Sequence, residues 1–329
     1  MTFEQKRFSF LLEALSPIAH HEGSFGNTAT VMRRRVRQTD GSWCEVPVIT
    51  GDTLRHGLRE AAAYAFLDAA GLLDAQALGE AAIRLLFSGG MVTGRGDASS
   101  IKLDAFREMC ELCPSLALLG GCTDNRVVPG RLSVDDASLV CSENARYLPP
   151  WVVDFVAKEH ADLDTCRAHL EEVQRVRMDP ALDPGKRTLM LPDAQVAAAN
   201  RLGAGEAAHE DDSAIARDAA KSTMMPRRFE RVAQGSLFHW SISATTYTDL
   251  DVDTLHTMLA CFLADPRVGG KRGTGHGQLR VVAARDLKIA RLSEPLTSFE
   301  LGPSMGTLFR SHVSARKEQI ATWLRTVNS

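Results

Sequence analysis

Two strand-and-helix units, one near each end of the chain, limit the sheets this sequence can build. In the first, Phe8, Phe10, Leu12 and Ala14 alternate with Ser9, Leu11 and Glu13, a strand period with one face more apolar than the other. A helix then opens at Thr50-Gly51-Asp52 and turns Leu54, Leu58, Ala61, Ala62 and Leu67 inward, with Thr50 or Asp52 as its cap. In the second unit, Phe238, Trp240, Ile242 and Ala244 alternate with His239, Ser241 and Ser243. Val252, Leu255, Met258, Leu259, Phe262 and Leu263 follow as one helical stripe, and Leu279 to Ala283 returns as a strand. Distant units of this kind suit an α+β sheet of the split βαβ or ferredoxin-like kind, with the first strand near its centre and the middle of the chain inserted.

Around these units, Thr28 to Gln38 and Trp43 to Ile49 flank Asp40-Gly41 and read as a hairpin. Leu72 to Leu119 reads as mostly helical and ends at Gly120-Gly121, and Arg131 to Cys141 resembles a strand. From about Pro180 to Gly235 the periodicity is lost, and such a segment reads as an exposed excursion.

Charge bears on the choice of partner. The chain holds 38 Lys and Arg against 41 Asp and Glu, a net charge of −3, without the basic excess typical of polyanion binders. The charges are segregated, however. Gly23 to Gln38 has four arginines and no acid, Pro266 to Arg285 has five Lys or Arg and no acid, and Ala204 to Ala220 has five acids against one base. The net figure therefore confines a polyanion site rather than excluding one. No run approaches the ~18 apolar residues of a membrane span, and MTFEQKRFSF has no signal core, so a cytoplasmic protein without membrane contact is expected. Seven irregularly spaced cysteines fit reduced thiols.

Three motifs carry chemistry. As a strand, Val31 to Arg37 puts Arg33, Arg35 and Arg37 on one face at ~7 Å intervals, near the phosphate spacing of an extended nucleic acid. The alternative is an edge strand kept basic against aggregation. Gly269 to Gly277 holds Lys271, Arg272 and His276 among five glycines that let backbone N–H groups approach phosphates. It is neither a Walker A loop nor a dinucleotide fingerprint, because it follows a helix and precedes a strand. In Gly51 to Arg59, Arg55 and Arg59 share one helical face beside Thr53.

Other features weigh less. Cys110, Cys113 and Cys122 have partial zinc spacing but sit in a helical apolar pattern with no second pair, so no metal or cofactor is expected. His20 and His21 are adjacent in extended chain and point apart, which argues against an acid–base pair and leaves either to contact RNA. Met225, Arg227, Arg228 and Phe229 mix apolar wedges with bases, suited to stacking against nucleobases or to anchoring the excursion.

Taken together, Leu15 to His21, Pro47 to Arg59 and Gly269 to Gly277 resemble the backbone (Cas-seven) subunit of RNA-guided CRISPR complexes in the RAMP superfamily, most closely its type IV version. The resemblance implies an RNA-recognition-like palm (1–70 and 235–290), a helical or finger insertion (71–179), a thumb-like excursion (180–234) and a C-terminal extension (291–329). It also implies a right-handed filament of several copies along one guide RNA, serving antiviral or anti-plasmid defence. The guide would lie on the first hairpin, the helix from Asp52 and the glycine-rich loop, while the thumb kinks it at intervals. Its bases would then pair with complementary DNA or RNA. Further partners implied are a large subunit, a guide-end cap, a guide-processing endonuclease and, as an additional candidate, a helicase. Type III relatives cut target RNA with an aspartate after the first strand. Here Glu22 to Thr39 contains no Asp, so the expected protein is not an enzyme, with Glu22 the one acid able to substitute. The competing readings are a metal-independent guide-processing endonuclease using His20, His21 or His276, and a phosphate-binding metabolic enzyme using the glycine-rich loop.

Overall fold

The computed structural model describes residues 4–25, 28–73, 78–90, 103–123, 126–159, 163–177, 225–286 and 306–326. Up to the first long helix the elements are β1 (Glu4–Ala14), β2 (His21–Phe25), β3 (Thr28–Val31), β4 (Arg33–Arg37), β5 (Trp43–Ile49) and α1 (Gly51–Ala70). Next come α2 (Glu80–Ile83), a π turn over Arg84–Ser88, α3 (Leu103–Leu112), α4 (Pro114–Leu119), β6 (Gly120–Thr123), β7 (Arg126–Pro129), β8 (Leu132–Val134), β9 (Ala137–Leu139) and α5 (Pro150–Glu159). The last third adds β10 (Leu170–Arg177), β11 (Met225–Val232), β12 (Leu237–Thr246), α6 (Asp249–Ala264), β13 (Leu279–Asp286), α7 (Thr307–Ser314) and α8 (Lys317–Thr326). The chain divides into one unit of Met1–His20, Met32–Leu170 and Val232–Ser329, and a second of His21–Val31 and Glu171–Arg231.

In the first unit a mixed α+β fold is built on an antiparallel sheet of order β13-β1-β12-β9-β5-β4, with β8 also paired to β12. Considering β1, the β8–β9 pair, β12 and β13 in chain order, their order in space is fourth, first, third, second. The main helices α1 and α6 follow the first and third of these strands. Phe10 of β1 stacks on Trp240 of β12 at 5.1 Å, and Trp240 meets Phe262 of α6 edge-on at 5.9 Å. Helix α1 approaches α6 closely at Gly57, where a Cβ would lie 2.6 Å from the Phe262 ring. On the opposite sheet face, Trp151, Val152 and Val156 of α5 pack with Leu11 and Ala283. Leu11, on the face that alternation marks as less apolar, is therefore 0% exposed because both faces of β1 are covered.

The β8–β9 segment belongs to this sheet rather than to a separate inserted body. The C-terminal helices are also integral. Phe309, Val313, Ile320, Trp323 and Leu324 share a core cluster with Phe66 and Leu67 of α1, and Asp253 accepts hydrogen bonds from the backbone N–H groups of Gly306 (2.7 Å) and Phe309 (2.9 Å). The stretch expected to be one strand from Thr28 to Gln38 is broken at Met32. The Met32 N–H bonds to the His20 carbonyl at 2.8 Å, and its carbonyl accepts from Val48 N–H at 3.0 Å, so β3 and β4 join different sheets.

The second unit is a four-stranded sheet of order β10-β11-β3-β2. Buried Phe229 meets His21 edge-on at 6.0 Å and lies under the Arg175 guanidinium at 5.8 Å, while Glu230 accepts from Val31 N–H at 3.1 Å. Residues 178–224, the bulk of the acidic excursion, lie outside the described residues. No described helix is long and apolar enough to cross a membrane.

His239 on β12 makes the first unit sensitive to acid. Its Nε2 lies 2.8 Å from Ser9 Oγ and its ring meets Trp151 edge-on, and burial pushes its pKa down to about 4. Between that value and the ordinary ~6.5, the unfolded chain takes up a proton that the folded chain refuses, so stability falls as pH drops through this window. Wild-type protein should lose on the order of 2 kcal/mol more than a His239→Gln variant between pH 7 and pH 4 in urea titrations. Parallel losses in the two proteins would show that His239 is not the group responsible.

Candidate functional site

The three motifs meet at Ala19-His20. Gly270 N–H bonds to the Ala19 carbonyl at 2.8 Å, and Gly277 N–H bonds to the Pro17 carbonyl at 3.0 Å, which pins the glycine-rich loop to the segment after β1. His20 Nε2 accepts from Thr50 N–H at 3.3 Å and lies 3.2 Å from Thr50 Oγ1. Thr50 in turn caps α1 by accepting from Thr53 N–H. Through Met32, His20 also ties in the start of β4. A fourth tie is the ion pair of Arg272 with Glu60 of α1 at 3.7 Å.

The loop's conformation is specific. Gly277 has φ +85 and its Cβ position is occupied by the Val268 carbonyl oxygen, so no other residue fits there without movement. Lys271 is the one non-glycine residue with positive φ (+60) among those described, and its carbonyl accepts from Thr274 N–H and Thr274 Oγ1, both at 2.9 Å. This turn exposes the Lys271 side chain.

Strand β4 pairs with β5 in the register Arg33↔Pro47, Arg35↔Glu45, Arg37↔Trp43. Arg33, Arg35 and Arg37 thus share one face as expected; Arg33 is half-buried, and Arg35 and Arg37 are exposed. Arg34 points the other way, to Asp136 at 2.8 Å, whose second oxygen accepts from Gly51 N–H at 2.7 Å. Beside Arg37, Trp43 is 59% exposed. Tyr147 donates to the Arg37 carbonyl at 2.7 Å, with Arg146 over its ring at 4.9 Å. No local motif marks Tyr147 and Arg146 in the sequence, whereas the Arg37–Trp43 pairing follows from the hairpin register.

Several expected contacts are corrected by burial. Arg59 is 8% exposed and donates to the carbonyls of Leu119 and Gly120; burial, then Arg55, lowers its pKa to about 10. Arg55 donates to the carbonyls of Leu132 (2.8 Å) and Leu119. This pair holds the α4–β6 junction, and Arg59 is not available to a solvent-borne phosphate. His276 is 4% exposed with Nδ1 3.2 Å from the Thr274 carbonyl, so it lies beneath the loop. Thr53 is half-buried at the α1 terminus.

His21 belongs to the second unit, where its Nε2 donates to the Glu230 carbonyl at 2.9 Å. Arg228 is exposed and Phe229 is buried in that unit's sheet, whereas the side chains of Met225 and Arg227 lie outside the described residues. Burial raises the pKa of Cys110 and Cys113 to about 11. Neither belongs to the group of metal-capable side chains that does gather among the described residues: Cys44, Glu143 and Cys166.

No family model and no curated protein matches the chain. Among solved structures, a chain of a Type IV-B CRISPR complex is similar at a TM-score of 0.49 and 18% identity, over 89% of this chain and 96% of that one.

Proposed function

We propose that this chain is a non-catalytic subunit of an RNA-guided CRISPR complex. It assembles in several copies along the guide RNA and presents the guide for pairing with complementary DNA or RNA. The observation that carries the reading is the meeting of the basic strand, the glycine-rich loop and the start of α1 at Ala19-His20, which brings Arg33, Arg35 and Arg37 and a Lys-bearing loop into one unit. The strand order fourth-first-third-second supports an RNA-recognition-like palm beneath them.

Exposed Arg35, Arg37 and Lys271 are the principal phosphate contacts, with Arg33 and Arg272 beside them, and Trp43 and Tyr147 offer aromatic faces to bases. Phosphate contacts set affinity and register while base pairing supplies sequence specificity. The chain expressed alone should copurify with RNA protected in a ladder of constant increment. Replacing Arg35, Arg37 and Lys271 together with Ala should weaken RNA binding and flatten the slope of log K against log salt by about 2, at ~0.7 per single-strand phosphate contact. An unchanged slope rejects this face, and discrete cleavage products in place of a ladder favour the endonuclease.

A further inference from the structure

Behind the basic hairpin, three chain segments bring metal-ligating atoms together. Cys44 lies on β5 opposite Val36, facing away from the Arg35 side of the hairpin. Glu143 lies in the 3-10 turn Ser142–Tyr147, and Cys166 begins the turn Cys166–His169. One ligand atom from each lies within 4.8 Å of the others, and the two Sγ atoms are 3.9 Å apart. Two thiolates bound at ~2.3 Å to a tetrahedral zinc ion stand ~3.8 Å apart, whereas a disulfide needs ~2.05 Å. The carboxylate is already oriented: Glu143 Oε2 accepts from Cys166 N–H at 2.8 Å and from Ser142 Oγ at 3.0 Å.

We propose that Cys44, Glu143 and Cys166 bind one divalent cation of the zinc class through two thiolates and a carboxylate, with water completing the tetrahedron. Burial is the largest influence on Glu143 and opposes its charge, but the hydrogen bonds from Cys166, from its own backbone N–H and from Ser142 together outweigh it and hold the carboxyl below its usual range. Burial, then Glu143, pushes the Cys166 thiol upward. Binding breaks two S–H bonds, forms two metal–sulfur bonds and one metal–oxygen bond, and releases two protons to solvent. The site would clamp the inner face of the hairpin to the two turns behind it.

Cobalt(II) titrated into the chelator-treated, reduced full chain is the test. One equivalent should produce a thiolate-to-cobalt charge-transfer band and tetrahedral visible bands, both abolished by equimolar zinc. Cys44→Ser and Cys166→Ser should lose the bands, Glu143→Gln should bind at least about tenfold more weakly, and Cys110→Ser should bind normally. If the cysteine variants fail to fold, alkylation of wild-type protein decides: zinc should protect Cys44 and Cys166 but not exposed Cys261. Absence of a charge-transfer band, bands that survive Cys44→Ser, or isolation of the chain lighter by two hydrogens as a Cys44–Cys166 disulfide would overturn the site. The measurement uses no nucleic acid, so it stands apart from the RNA-binding reading.

Discussion

Asp251→Ala should lower the unfolding free energy by about 3–5 kcal/mol, the range for breaking a buried ion pair from one side. Asp251 is 7% exposed and takes both guanidinium nitrogens of Arg131, at 2.7 and 2.8 Å. It also accepts from Tyr247 N–H at 2.9 Å and Thr248 N–H at 3.2 Å, closing the capping box of α6. Burial is the largest single influence and works against its charge, yet the hydrogen bonds and charge of Arg131 and the N–H groups of Tyr247 and Thr248 together prevail, and its pKa is held below the ordinary carboxylate value. Truncation would leave the Arg131 charge without its carboxylate, held only by the carbonyls of Ala117 (3.2 Å) and Thr245 (3.3 Å) over the Tyr247 ring, and free two N–H groups at the helix entrance. Asp251→Asn, which keeps the shape and an acceptor but not the charge, should lose less. Urea unfolding at neutral pH separates the three proteins; a loss under about 1 kcal/mol for Asp251→Ala would mean that Arg131 finds water or another partner.

Gly277→Ala should cost about 3 kcal/mol, while Gly273→Ala four residues earlier should stay within about 0.5 kcal/mol. At Gly277 the new Cβ would sit 1.9 Å from the Val268 carbonyl oxygen, in a backbone with φ +85; at Gly273 it meets nothing within 4 Å. The obstacle is backbone, so relief requires the loop to move, at the expense of the Gly277–Pro17 and Val268–Gly277 hydrogen bonds. Thermal unfolding checks the stability difference. RNA-dependent assembly checks the functional one, since only Gly277→Ala loosens Lys271 and Arg272 from the segment after β1. Equal effects of the two substitutions would remove the loop's geometry as the cause.

The elements most legible in the sequence were those whose pattern is local. Strand β12, helix α6 and strand β13 follow from alternation and a 3.6-residue stripe, and their partners impose nothing that contradicts it. The break at Met32 was not legible, because it comes from hydrogen bonds to His20 and Val48 rather than from residue type. Arginines four apart on a helix normally point to solvent, so the burial of Arg59 became visible only with the carbonyls of Leu119 and Gly120 in view. Cys44 and Cys166 are 122 positions apart, beyond any spacing rule, whereas Cys110-x-x-Cys113 has the local spacing and no gathered ligands among the described residues.

Strand β1 has its two neighbours at the far end of the chain, pairing Glu4 to Glu13 with β12 and Phe8 to Ala14 with β13. On a ribosome adding about 5–20 residues per second, the first strand emerges roughly 10–50 seconds before the last residue of β12 exists to pair with it. Throughout that interval Phe8, Phe10, Leu11 and Leu12, all buried in the finished fold, have no native partner strand. The order in which the parts of this chain are made is thus the reverse of what its central strand needs.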